Sequence, residues 1–156
     1  MEYSLRAISS ADERVVRTLV ASVMREYGLR ADLENTDADL ADIAASYTAR
    51  GGAFRVLTDE SGTIVGCGGL YPLADGEAEI RKMYFVPAAR GKGYGRRLLG
   101  ELLDEAKRRG YRRVVLETAS VLKEAIALYR RAGFTPYARD RIACGCDQAM
   151  VLELTE

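Results

Sequence analysis

The chain has 156 residues, enough for one domain with a sizeable core and too few for two ordinary ones. Lysine plus arginine and aspartate plus glutamate balance at 23 each, so no global field draws the protein to nucleic acid or an acidic membrane. Three cysteines and no histidine argue against a disulfide framework and a structural metal, and leave proton transfer to carboxylates, tyrosine, cysteine or water.

Along the chain, Tyr3, Leu5 and Ala7 alternate with polar residues as a first strand. Ser10 and Glu13 then have the spacing of a capping box, opening a helix that runs to Tyr27 and stops at Gly28. Residues 29–40 are acidic and aperiodic, and Leu40, Ile43 and Ala44 suggest one further short helix. Residues 53–58 and 63–71 are strand-like runs joined by the turn-rich Asp59-Glu60-Ser61-Gly62, and residues 77–86 form the third strand of a meander. Pro87 ends that strand, because proline cannot donate to a ladder.

A strongly amphipathic helix follows from near Gly93, with Leu98, Leu99, Leu102, Leu103 and Ala106 on one face, until Gly110. Val114, Val115 and Leu116 form a buried strand, parallel to its predecessor across the helical crossover. A helix over residues 123–132, a strand from Phe134 to about Tyr137 and a last strand over 148–154 complete the chain. The expected fold is a single mixed α/β domain over residues 1–156, in the order β-α-α-β-β-β-α-β-α-β-β. No apolar run approaches the roughly 20 residues of a bilayer span, and residues 1–10 lack a signal peptide's apolar segment, which makes the cytoplasm the expected location.

The most informative segment is Arg90-Gly91-Lys92-Gly93-Tyr94-Gly95, between strand and amphipathic helix. Its glycines let the backbone approach a ligand, and unpaired amides at a helix N-terminus favour an anion. Arg90, Lys92 and Arg96 add charge around the same cradle. A Walker-type loop needs Ser or Thr after its lysine, and here Gly93 follows Lys92. A dinucleotide fold places its glycines after the first strand of a parallel sheet, whereas these follow a meander.

This segment resembles the Arg/Gln-x-x-Gly-x-Gly/Ala signature of the GNAT superfamily of N-acetyltransferases. Met83-Tyr84-Phe85-Val86-Pro87 before it and Ala125-Ile126-Ala127-Leu128-Tyr129-Arg130-Arg131-Ala132-Gly133-Phe134 after it are similar to the family's flanking blocks. Leu122 stands where many members carry asparagine, so a hydrogen bond near the cofactor is missing, while Leu116-Glu117-Thr118 and residues 123–129 are similar to some bacterial members.

The resemblance implies a central, mostly antiparallel sheet splayed at the cofactor site. It further implies acetyl-coenzyme A as cosubstrate, its pyrophosphate on the amides from Gly91 to Arg96 and its pantetheine arm along the backbone of Met83 and Phe85. Tyr129 then takes the place of the acid that returns a proton to the leaving thiolate, against the alternative of a core aromatic on a helical face. Glu79, four residues before Met83, resembles the catalytic base of histone-type members; a solvent-facing strand carboxylate is the even alternative, and Glu117 or a water chain the runner-up base.

The activity implied is direct acetyl transfer to a primary amine of a small molecule in a ternary complex. Protein amines, or a binding-only coenzyme A sensing or partner-binding module, remain alternatives. Tyr27, Tyr71, Tyr137 and residues 139–147 line an acceptor pocket in one reading and are ordinary surface in the other. The basic residues Lys107, Arg108, Arg109, Arg112 and Arg113 read as a solvated face, Cys144 and Cys146 as free thiols with no metal, and homodimer formation is left open by the sequence.

Overall fold

A computed structural model describes residues 2–139, 142 and 146–154. Cys144 and most of the loop before the last strand lie outside the described residues. Seven strands form one sheet in the order β1-β2-β3-β4-β5-β7-β6. They are β1 (Ser4–Ala7), β2 (Ala53–Thr58), β3 (Ile64–Pro72), β4 (Glu77–Phe85), β5 (Arg113–Thr118), β6 (Thr135–Pro136) and β7 (Gln148–Glu153). All neighbouring pairs are antiparallel except β4 with β5, as a helical crossover requires. The helices are α1 (Glu13–Glu26), α2 (Ile43–Ser46), α3 (Tyr94–Arg108) and α4 (Lys123–Arg131).

The helices divide between the faces of the sheet. Val16, Leu19, Val20 and Val23 of α1 pack with Ile43 of α2 and with Phe54, Val56 and Cys67 of the meander. On the other face Leu98, Leu99, Leu102 and Ala106 of α3 meet Leu70, Ile80, Val114 and Leu116, with Tyr129 of α4 and Phe134 closing the cluster. Each leucine that α3 buries contributes about 1.5–3 kcal/mol, so the expected apolar stripe is what docks this helix.

At the start of α1 the capping box sits one residue earlier than expected. Ser9 donates from its amide (2.8 Å) and its hydroxyl (2.9 Å) to Asp12, which also pairs with Arg6 at 2.7 Å. The guanidinium of Arg6 sets the choice, holding the Asp12 carboxyl well below its usual range. Ser10–Asp12 accordingly form a 3-10 turn ahead of α1.

The sheet feature that matters most is a break in β4. Gly69 faces Arg81 and Cys67 faces Tyr84, so Lys82 and Met83 together oppose Gly68. Lys82 adopts φ 57, a left-handed conformation uncommon for a side-chain-bearing residue. Before this bulge β4 pairs with β5 from Glu77–Arg113 to Ile80–Leu116. After Ile80 the two strands part, and among the described residues the edge of 81–85 that faces β5 has no strand partner. The expected splay thus begins where the bulge does.

Candidate active site

The parting of β4 and β5 opens a cleft of about 1210 Å³. Of the residues singled out from sequence, Glu79, Met83, Phe85, Arg90, Gly91, Gly93, Tyr94, Gly95, Arg96 and Tyr129 all line it. Lys92 does not. Its ammonium lies 5.2 Å from the centre of the Tyr3 ring, and it borders a shallow neighbouring groove with Arg96 and Arg97.

One end of the cleft is backbone. Gly91 (φ 74) and Gly93 (φ 86) take left-handed conformations, and a Cβ on either would meet nothing within 4 Å. Conformation, not crowding, demands glycine here, and the space in front of the loop is open. Gly93 is the N-cap of α3 and offers no side chain to the first amides, and no acidic residue stands in the first turn. The amides of Tyr94, Gly95 and Arg96 have no partner within their own helix and face a helix dipole's positive end. This cradle fits a pyrophosphate.

Arg90 is committed elsewhere. Its Nε donates to the Phe85 carbonyl at 2.9 Å, and its Nη atoms donate to Glu26 of α1 at 2.5 and 2.9 Å. The hydrogen bonds from Arg90 lower the Glu26 carboxyl below its usual range. Instead of adding free charge to the cradle, Arg90 ties the loop to α1.

The other end is built from side chains. Glu79 is only 4% exposed, so its charge needs partners. Arg81 donates from Nε to one of its oxygens, and Arg139 donates from Nη1 at 2.9 Å to the other and at 2.9 Å to Glu117. The Arg81 guanidinium also stacks 3.7 Å from the centre of the Tyr71 ring. Glu79 is thus no solvent-facing strand carboxylate. Of the tyrosines considered for the acceptor side, Tyr27 lines the cleft, Tyr71 supports it from behind through Arg81, and Tyr137 pairs its amide with Ala149 away from it.

Between the two ends lie the groups that can move protons. Burial pushes the phenols of Tyr129 and Tyr84 well above their ordinary value, so both remain protonated at neutral pH. No described residue takes a hydrogen bond from the Tyr129 hydroxyl, in contrast to a core tyrosine with a satisfied oxygen. Its ring packs edge-on to Phe134 with centroids 5.9 Å apart, which fixes its direction. Cys146 also lines the cleft, and burial, followed by the nearby Glu117 charge, pushes its thiol up to about 11. It is a thiol, not a nucleophilic thiolate, at neutral pH. Among the described residues no group of three His, Cys, Asp or Glu side chains could hold a metal ion.

A second set of charged residues was not anticipated. Lys82, whose side chain is 9% exposed, pairs with Asp37 at 3.1 Å and Asp39 at 3.2 Å, both equally hidden. The buried Tyr47 hydroxyl donates to Asp39. The sequence signal for it is Lys82 directly after Arg81, which breaks the alternation of charged Glu77, Glu79 and Arg81 with apolar Ala78 and Ile80 and marks a bulge.

The family model described as "Acetyltransferase (GNAT) family" matches residues 17–134. An uncharacterised N-acetyltransferase of Escherichia coli K12, YjgM, is 40% identical over 135 residues, which cover 83% of this chain and 80% of that protein. An uncharacterised N-acetyltransferase of Schizosaccharomyces pombe is 32% identical over 76% of this chain and 73% of its own length. Among solved structures, a GNAT acetyltransferase of Staphylococcus aureus Mu50 superposes with a TM-score of 0.93 at 19% identity, covering 99% of this chain and all of its own. The Salmonella typhimurium protein yncA, solved with acetyl-CoA, superposes at 0.77 with 27% identity, covering 100% of this chain and 96% of its own. With the amide cradle and the splayed strands already in place, these likenesses decide between an enzyme and a binding-only module: the chain belongs to the GNAT family and is an N-acetyltransferase that uses acetyl-CoA.

Proposed function

We propose that the chain, acting as one domain, transfers acetyl from acetyl-CoA to the primary amine of a small molecule by direct attack within a ternary complex. The observation that carries this reading is the protonated, buried Tyr129 hydroxyl lining the cleft beside a thiol that is not ionised. A covalent acyl-enzyme route needs an activated nucleophile, and Cys146 at about 11 is not one. Direct attack needs only an acid for the leaving thiolate and an acceptor for the amine proton.

Bound acetyl-CoA supplies the thioester that the amine attacks and the thiolate that leaves. The amides of Gly91 to Arg96 hold its anionic portion, and the open edge of Met83 and Phe85 orients its extended arm as an added strand would. Arg96 and Tyr94 line the same end, with Lys92 offering charge from outside the cleft. Tyr129 Oη donates the proton that the thiolate takes up, and is reprotonated by the second proton that the attacking nitrogen loses. Glu79, oriented by Arg81 and Arg139, takes the ammonium proton through water, and Glu117 shares Arg139 with it as the reserve carboxylate. In favour of a small acceptor, Leu29, Arg30, Asp32, Thr36 and Asp37 line this end, and the ion pairs Lys82–Asp37 and Arg139–Glu79 stand there.

The test is thiol release from acetyl-CoA across a panel of tyramine, spermidine, L-glutamate, glucosamine and an alanine-terminated peptide. Amine-dependent release with one of the small amines supports the reading. Release with the peptide alone moves the acceptor to a protein amine, and release independent of any amine contradicts transfer.

A further inference from the structure

Lys82 combines three features that rarely meet. It is a lysine with almost no exposure, it holds a left-handed backbone conformation, and it lies in the bulge of β4 just beyond the point where β4 and β5 part. Strain at a single position persists only where the surroundings over-determine it. Here they do so from two sides. The Cys67 thiol donates to the Lys82 carbonyl at 3.2 Å, and the ammonium is gripped by two carboxylates from a distant segment.

Those carboxylates belong to the connection between α1 and α2. Asp37 also lines the cleft, in company with Leu29, Arg30 and Thr36, so the segment is the acceptor-side wall. Asp37 is fixed to its own loop as well, accepting from the Asp32 amide at 2.7 Å. Asp39 is braced by Tyr47, whose buried hydroxyl donates to it. In sequence Lys82 stands between Arg81, which holds Glu79, and Met83 to Phe85, the open edge.

We propose that Lys82, which itself lines the cleft, is a positioning residue that clamps the acceptor-side wall, through Asp37 and Asp39, to the bulge of β4, and so sets acceptor affinity apart from the cofactor cradle. The inference rests on the acetyl-transfer reading for its kinetic consequence, and on geometry alone for the clamp. Tyr47 adds a second hold on Asp39: its hydroxyl donates to Oδ2, while the ammonium lies 3.2 Å from Oδ1.

The experiment compares the unaltered protein with Lys82→Met. Amide hydrogen exchange should quicken by at least about tenfold in residues 32–41 and stay within about twofold in α3 and β5. With the panel amine that gives the highest kcat/KM, KM for the amine should rise by about tenfold or more while the calorimetric Kd for acetyl-CoA stays within about twofold. Because Lys82→Met leaves two buried carboxylates without a cation, a second variant, Lys82→Met with Asp37→Asn and Asp39→Asn, removes that charge and should fold while keeping the raised amine KM. Leu102→Ala, a core change of the α3 face, serves as the purely structural control and should lower the yield of active protein with neither constant altered.

Unchanged exchange in 32–41 overturns the clamp. An amine KM that stays put, or that shifts in step with the acetyl-CoA Kd, overturns the positioning role. Failure of the acetyl-transfer reading looks different: the unaltered protein then releases no thiol with any amine, and exchange alone decides the clamp.

Discussion

The two ends of the cleft are held by different means. At the cofactor end the main chain does the work: two left-handed glycines, an uncapped helix start and an unpaired strand edge, all within residues 81–96. At the acceptor end side chains from remote segments are tied by charge, as in Lys82 with Asp37 and Asp39, or Arg139 with Glu79 and Glu117. The first arrangement is local and tolerates most side-chain changes nearby. The second is a network in which each carboxylate depends on a guanidinium or ammonium brought from elsewhere, and losing one partner leaves a buried charge. A grip made of backbone suits a cosubstrate common to a whole family, and a network of side chains suits an acceptor that differs from one member to the next.

Substitutions at each end should separate these two kinds of hold. The largest effect is expected where they meet. Tyr129→Phe should lower kcat by about a hundredfold, the scale of a lost general acid, with acetyl-CoA affinity and amine KM both within about twofold. An equal loss in affinity would make the tyrosine a packing residue.

Next comes the backbone end. Gly93→Val forces a β-branched side chain into φ 86, a strain of about 1–2 kcal/mol, and places bulk in front of the amides, so acetyl-CoA Kd should weaken well beyond the tenfold that strain alone gives. Titration calorimetry reads this directly, and unaltered affinity would remove the cradle from the account.

At the acceptor end, Glu79→Gln should lower kcat/KM by about tenfold, with the deficit widening as pH falls below the amine's own value, where proton removal is most needed. A deficit of constant size from pH 6 to pH 10 would transfer the base role to Glu117 or to solvent.

The smallest effect concerns stability. Cys67, behind the bulge, has its thiol pushed up from 9.0 to about 12 by burial. Its folded value lies above the unfolded one, so its contribution is complete below pH 9.0 and is lost as pH rises toward 12. Cys67→Ala should therefore flatten the alkaline fall of thermal stability over that window, measured by calorimetric scans at stepped pH. An unchanged slope would mean that the thiol does not titrate with unfolding.

The contrast between the ends also accounts for what the amino-acid sequence discloses. The glycine loop, the apolar stripe of α3 and the block around Tyr129 are readable because each is local: its residues act on neighbours one to four positions away. Gly28, Gly110 and Gly133 likewise stop their helices with positive φ, as their placement after amphipathic runs suggests. Lys82, Asp37 and Asp39 are not readable as a unit, since nothing in an aperiodic acidic stretch says which distant cation it meets. The same applies to Arg90, which reads as a phosphate ligand and is instead bonded to Glu26 and the Phe85 carbonyl.

Arg139, just beyond Tyr137, reads as one end of a loop that is either acceptor pocket or ordinary surface, and nothing local names its two carboxylate partners, which come from β4 and β5. Smaller departures have similarly physical origins. The capping box shifts to Ser9 and Asp12 because Arg6 draws the aspartate, and β5 extends to Arg113–Thr118 because β7 pairs with it along its full length.

We propose that this cleft brings acetyl-CoA and a small primary amine together for direct transfer. The most direct measurement is calorimetric titration with acetyl-CoA followed, in the same preparation, by thiol release across the amine panel. The expected result is one-to-one binding and release that depends on a small amine, saturating in both substrates with intersecting initial-rate lines. Binding without amine-dependent release, or parallel lines that signal an acylated enzyme, would contradict it.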